Sequence, residues 1–205
     1  MTNIELVKLL RKFAYEHRKK IFSLREIAHF TGESHASVGM TLIRARKAGL
    51  VEDAGNLWFN KMDPPSLEEF ALQLRSPSYI SFESALYTHG VLSQSPKGGL
   101  SVATLLKPCT MKTPLGVIYY THLAEKYFFG FDAARMAGPE KAFLDMVYIR
   151  MRHGTFEPSE VFYRELLNEK KLKELAKRFP KYIANAIYSK VRKELPQPGL
   201  HTKSK

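Results

Sequence analysis

The sequence predicts a mainly helical α+β fold in two parts, and three observations carry that expectation. Three amphipathic helical patterns, separated by short turns, fill the first fifty residues. Runs rich in β-branched and aromatic residues follow at 100–106 and 117–122. Between the two regimes stands Asp63-Pro64-Pro65-Ser66. Consecutive prolines disfavour helix in the residue before them and stiffen the chain, so the junction is placed there. This gives an N-terminal domain over residues 1–63 and a larger mixed α/β domain over 66–205 that ends in basic helices. The chain has 205 residues and is 44% hydrophobic, enough for a real core, which excludes disorder as its main state. Lys and Arg number 32 against 20 Asp and Glu, a net charge of +12 that draws polyanions. The basic excess is 4 over residues 1–65, 2 over 66–155 and 6 over 156–205, so the charge gathers at the two ends. Cys109 stands alone, and no opening stretch reads as a signal peptide, which points to the cytoplasm. Charged residues interrupt every apolar run short of a membrane span, so no membrane partner is expected.

In the first part, Ile4, Val7, Leu10 and Ala14 recur at helical spacing, with Leu6 and Phe13 widening the stripe. Ser23-Leu24-Arg25-Glu26 then fits a capping box that opens a short second helix burying Leu24, Ile27 and Ala28 and ending at Thr31-Gly32. Ser34 can cap a third helix almost at once, with Val38, Leu42 and Ala45 turned inward. Two helices joined by so short a glycine-containing turn cross steeply, as in a helix-turn-helix. Ala48-Gly49-Leu50-Val51-Glu52-Asp53 then turns into a strand, and Ala54-Gly55-Asn56 can reverse direction into Leu57-Trp58-Phe59, which reads as a hairpin. Helix, helix, turn, helix and two-stranded wing, together with S-H-A-S-V-G-M-T-L-I-R-A-R-K-A-G-L-V, resemble the winged helix-turn-helix family.

A DNA-reading helix needs short polar groups near its start and long cationic ones further along. Ser34, His35, Ser37, Thr41 and Arg44 can supply them, with Met40 against a thymine methyl and Arg44 bidentate to a guanine edge. Arg46, Lys47 and the cluster Arg18-Lys19-Lys20 suit phosphates, which fix register without reading sequence. The plain alternative is a solvated helix face on a domain that binds proteins.

In the second part, Ser66-Leu67-Glu68-Glu69 fits another capping box, and Ser81 can cap a helix carrying Phe82, Ala85 and Leu86. Strands are expected at 100–106 and 117–122, with a third at 127–131. Gly138-Pro139-Glu140 reads as a helix start with proline in the first turn. Glu140, Lys141 and Asp145 are expected at that helix start and on its exposed side. Lys170, Lys171, Lys173, Lys177, Arg178 and Lys181, then Lys190, Arg192 and Lys193, crowd positive charge onto successive turns. They form a candidate polyanion or acidic-protein surface, with an ordinary solvated helix as the alternative. Leu166, Leu167, Leu172, Leu175 and Ala176 are expected to supply the buried side.

The segments S-P-S-Y-I-S-F-E-S-A-L-Y-T-H-G-V-L-S-Q-S-P, T-P-L-G-V-I-Y-Y-T-H-L, Y-F-F-G-F and A-G-P-E-K-A-F-L-D, in this order, are similar to the C-terminal domain of the AbiEi family. These are antitoxins of abortive-infection toxin-antitoxin systems. With the winged helix, the resemblance covers roughly residues 1–155. It implies a transcriptional repressor of its own operon, bound to double-stranded operator DNA. Its functional partner would be a nucleotidyltransferase-like toxin that it neutralises, in phage defence, with direct contact to the toxin left open. Operators with repeated half-sites would suit self-association on DNA. The alternative is a solitary winged-helix regulator whose C-terminal domain senses a ligand or protein.

Enzyme readings find little support. Ser95-Pro96-Lys97-Gly98-Gly99 lacks the long glycine-rich loop and terminal Lys-Ser or Lys-Thr of a phosphate cradle. The seven histidines show no paired metal spacing. A magnesium nuclease needs clustered carboxylates, whereas Glu169-Lys170-Lys171 sits in a basic helical stretch. No catalytic residue, metal or cofactor is expected.

Overall fold

The computed structural model describes residues 1–96, 98–154 and 164–190. In chain order the elements are α1 (Asn3–His17), β1 (Ile21–Ser23), α2 (Leu24–Thr31), α3 (His35–Lys47), β2 (Val51–Ala54) and β3 (Leu57–Asn60). There follow α4 (Leu67–Leu74), β4 (Ser78–Ile80), α5 (Phe82–Thr88), β5 (Leu100–Thr104), β6 (Cys109–Thr113) and β7 (Gly116–His122). The last three are α6 (Pro139–Arg152), α7 (Glu169–Ala176) and α8 (Lys181–Lys190). The fold is α+β. No helix among the described residues is long and apolar enough to cross a membrane.

Two compact units emerge. One comprises Met1–Ile80 with Lys97–His122, the other Ser81–Pro96 with Leu123–Lys205. The sequence placed its junction at residues 63–66, yet strands β4 to β7 group with the N-terminal elements. Helix α4 supplies the physical reason. Its Phe70 ring meets Phe59 of β3 edge-on at 5.6 Å, and Gln73 donates to the Ile21 carbonyl at 3.4 Å. From the other sheet, Tyr120 donates its hydroxyl to the Ala71 carbonyl at 2.7 Å. Prolines stiffen residues 64–65, but Pro65 is buried and the chain folds straight on into α4.

Within the first unit, capping boxes open α1 at Thr2/Glu5, α2 at Ser23/Glu26 and α4 at Ser66/Glu69. Each reciprocal pair satisfies two otherwise orphaned amides, a gain of about 1 kcal/mol apiece. Leu6 and Leu10 of α1, Ile27 and Ala28 of α2, and Val38, Leu42 and Ala45 of α3 close one core with Phe22 and Val51. A three-stranded antiparallel sheet, ordered β1-β3-β2, flanks it, with Ile21 opposite Phe59 and Val51 opposite Asn60. The β2–β3 turn sets Gly55 at φ 56° and Asn56 at φ 73°, the twist that a two-residue hairpin prefers.

The second sheet is ordered β4-β5-β7-β6, with β5 and β7 parallel and the other pairs antiparallel. At Gly99 a β-carbon would lie 2.2 Å from the Val117 carbonyl oxygen, so only glycine lets β5 enter beside β7. The sequence does not predict strands β1, β4 and β6, and β6 fills part of the stretch between the two predicted strands. The expected strand at 127–131 is instead a short 3-10 turn at Glu125–Tyr127, followed by a single bridge between Phe131 and Ala137.

The second unit is built on α6, whose residues from Glu140 to Tyr148 are all buried. Its aromatic centre stacks Tyr127 on Phe179 at 5.0 Å, with Tyr148 against both. Burial overturns the expectation that Glu140, Lys141 and Asp145 lie on an exposed side, since all three are at most 3% exposed. Lys141 pairs with Asp145 one turn on, and Ser81 donates to the other carboxylate oxygen at 2.8 Å. Ser81 therefore bonds to α6 and makes no side-chain cap on its own helix. The Lys141 ammonium also lies over Phe129 at 4.8 Å and Phe179 at 5.4 Å. Burial holds its pKa below the ordinary lysine value, against the opposing pull of Asp145. Leu167, Leu172 and Ala176 are buried as expected, whereas Leu166 is exposed.

Removing one member of a buried ion pair strands the other. Lys141→Met is expected to cost about 3–5 kcal/mol in urea unfolding, and the double variant with Asp145→Leu to regain a large part of it.

Candidate nucleic-acid interface

Helix α3 presents an outer face because its inner stripe, Val38, Thr41, Leu42 and Ala45, is fully buried. Ser34 caps the helix by accepting from the Ser37 amide at 3.2 Å, and His35 lies exposed at its start. The Ser37 hydroxyl donates to Glu33 at 2.6 Å, so a carboxylate sits at the helix end that otherwise favours phosphate. Met40 is 59% exposed.

The remaining expected readers and phosphate contacts divide sharply. Thr41 is buried and donates to the Ser37 and Met1 carbonyls, so it is withdrawn from the reading face. A residue three after Val38 and four before Ala45 shares their inward phase whatever its polarity. Arg44 is exposed but folds along its own helix, with Nε on the Met40 carbonyl at 3.3 Å and Nη2 on Thr41 at 3.2 Å. These bonds are long, one exposed and the other half-buried, and they release the side chain at small cost. Arg46 is clamped to Asp53 at 2.7 Å and approaches Glu52 at 3.9 Å, which lessens its availability to phosphate. Lys47 is exposed and forms no ion pair among the described residues.

The basic cluster after α1 is likewise mostly engaged. Lys19 pairs with Glu26 and lies over Phe22, and Lys20 pairs with Asp63 at 2.5 Å. Arg18 alone of the three stays exposed without an ion pair among the described residues, in the left-handed conformation that ends α1.

Two positions that sequence reasoning missed complete the outer face. Ala36 and Ile43 are exposed, and Ala36, Met40, Ile43 and Lys47 line up at intervals of four, three and four. The centre of that stripe is apolar, with Ile43 47% exposed. Small and apolar side chains of this kind suit thymine methyl groups. The helical phase of Val38, Leu42 and Ala45 is the signal that places both outside, whatever their polarity.

The hairpin turn beside α3 is not free. A β-carbon on Gly55 would stand 2.8 Å from Leu74 of α4 and 3.6 Å from Met111 of β6, so the tip rests against its own unit.

The second candidate surface, on α7 and the start of α8, is thinner than expected. Lys171 pairs with buried Glu140 at 3.0 Å, and Lys173 with Glu169 at 3.7 Å. Arg178 stacks on Phe129, 3.4 Å from the ring centre. Lys170, Lys177 and Lys181 remain exposed without an ion pair among the described residues. Arg192 and Lys193, like Lys97, lie outside the described residues. Burial raises the pKa of the Glu140 carboxyl, but the Asn168 amide and the Lys171 ammonium outweigh it and hold it below the usual carboxylate range. Among the described residues no group of three or more His, Cys, Asp or Glu could hold a metal ion.

Glu26, which links the α2 cap to Lys19, has the same character. Burial acts to raise its pKa, and Lys19 together with the Ser23 amide and hydroxyl lowers it further than burial raises it. A depressed folded-state pKa contributes stability that is full above the unfolded value of about 4.5 and fades as pH falls through the folded value. Glu26→Gln is therefore expected to make the acid limb of the stability-pH curve shallower, measured by urea unfolding at stepped pH.

No protein-family model matches the chain, and a search of curated proteins finds no match. Among solved structures, the one titled "Crystal structure of RV2827C protein from Mycobacterium tuberculosis" aligns with a TM-score of 0.53 at 14% identity. The alignment covers 85% of this chain and 72% of that one, a likeness of fold.

Proposed function

We propose that this chain is a DNA-binding antitoxin of the AbiEi type, a repressor that reads operator DNA through α3 and antagonises a nucleotidyltransferase-like toxin. The observation that carries the DNA reading is the outer face of α3. Ser34, His35 and Ala36 stand at its start, Met40 and Ile43 along its middle, and Arg44 and Lys47 towards its end, all exposed. The order of helix, helix, turn, helix and hairpin supports the winged-helix assignment, and the net charge of +12 supports a polyanionic partner. In this reading the duplex meets α3 in the major groove, where a helix fits. Arg44 swings out to a guanine edge, Met40 and Ile43 meet thymine methyls, and Lys47 and Arg18 hold phosphates.

Antitoxicity is supported by the AbiEi-like segments, three of which lie wholly or mostly in the second unit. Its free cations at Lys170, Lys177 and Lys181 would offer the acidic or polyanionic contact.

Arg44→Ala is expected to cost about 1–3 kcal/mol on the specific operator, while Lys47→Ala weakens all duplexes alike and lowers the salt slope by about 1. Titration by fluorescence anisotropy at several salt concentrations checks both, and unchanged affinity in the two variants refutes the DNA reading.

Deleting residues 66–205 would strip the first unit of β4 to β7, so antitoxicity is better tested with point variants. Co-expression with the product of the adjacent gene is expected to rescue growth for the parent chain. Lys170→Glu combined with Lys177→Glu and Lys181→Glu is expected to lose that rescue at equal protein level. An adjacent gene without toxicity refutes the antitoxin reading.

A further inference from the structure

Helix α1 turns Leu6 and Leu10 into the core, yet its opposite side does not look like an ordinary solvated face. Ile4 is 69% and Tyr15 90% exposed, while most apolar side chains of this size in the unit are buried or half-buried. Between them lie Lys8 and Arg11, also exposed, and Arg18 continues the line at the cap. Positions 4, 8, 11, 15 and 18 follow one another by four, three, four and three, the spacing along which one helix packs lengthwise on another. Ile4 and Tyr15 stand about 16 Å apart along the axis, with the cations between them. Lys8, Arg11 and Arg18 form no ion pair among the described residues, and Lys12 on the flank reaches Glu16 only at 4.0 Å.

We propose that the outer face of α1 is a docking site for an acidic amphipathic helix of a partner protein, with apolar residues against Ile4 and Tyr15 and carboxylates against Lys8 and Arg11. Charge selects this occupant. A second copy packed parallel would set Lys8 against Lys8, and one packed antiparallel would bring Lys8 opposite Arg11, so like charges meet in either direction. A nucleic-acid backbone would satisfy the cations and leave Ile4 without a partner. An acidic helix satisfies both, and tyrosine and arginine are the side chains that most often anchor such interfaces. The proposal stands on α1 alone and does not depend on α3 reading DNA.

The test uses the full chain and a fluorescein-labelled designed helix of about three heptads, with leucines facing Ile4 and Tyr15 and glutamates facing Lys8 and Arg11. Anisotropy is expected to show saturable binding that weakens about tenfold or more in the Lys8→Glu, Arg11→Glu double variant. Binding of that variant is expected to return with a peptide carrying lysines in place of the glutamates. Ile4→Ser with Tyr15→Ser is expected to weaken binding comparably. All these residues are exposed, so circular dichroism and thermal midpoints should match the parent. No binding to the parent overturns the proposal, as does equal binding by a glutamate peptide without leucines. It is also overturned if a DNA duplex displaces the peptide and loses affinity in the Lys8, Arg11 variant while Tyr15→Ser leaves it unchanged. Concentration-dependent dimerisation of the parent that Tyr15→Ser abolishes would assign the face to a second copy, and so would overturn it too.

Discussion

The inward commitment of one side of α3 is the constraint on which the candidate interface depends. Val38, Leu42 and Ala45 are wholly buried against α1 and α2, and that packing fixes the rotation of the helix about its axis. Once the rotation is set, every other position is assigned to inside or outside with no further freedom. Thr41 is drawn inward beside three apolar neighbours, and its hydroxyl must find backbone carbonyls. Ile43 is driven outward although it is apolar. The face left for a partner is decided by what the core requires and only then by the chemistry of the letters.

Local structure was legible wherever its cause is local. The serine and glutamate three residues apart that open α2 and α4 satisfy each other's backbone neighbours, so the helix starts at Ser23 and Ser66 could be read directly. Proline in the first turn of α6 is of the same kind. Strands β1 and β4 have three residues each, too few for an alternating pattern, and exist because Phe59 and Val102 lie opposite them. The grouping of β4 to β7 with the N-terminal helices also has a distant cause, the Phe59–Phe70 contact and the Tyr120 bond. Sequence punctuation at 63–66 cannot report either.

The charged residues show the same division most plainly. Read as letters, Glu140, Lys141 and Asp145 belong on a helix surface, because burying an ion costs several kcal/mol. They are buried because each finds what burial demands. Asp145 has Lys141 and Ser81, Glu140 has the Asn168 amide and Lys171, and the Lys141 stem and ammonium lie among Phe129 and Phe179. On the surface the reverse happens, and Lys19, Lys20 and Arg46 are engaged by nearby carboxylates that composition alone counts only as a total. Net charge therefore overstates the cations available to a polyanion.

The turn at Gly55-Asn56 changes what the hairpin can be. With Leu74 and Met111 beneath it, the β2–β3 ribbon is a buttress and not a finger. Under the proposed DNA reading, this would shift recognition onto the single helix, narrow the footprint of one molecule to a few base pairs, and make a tandem arrangement of molecules the natural route to a longer address.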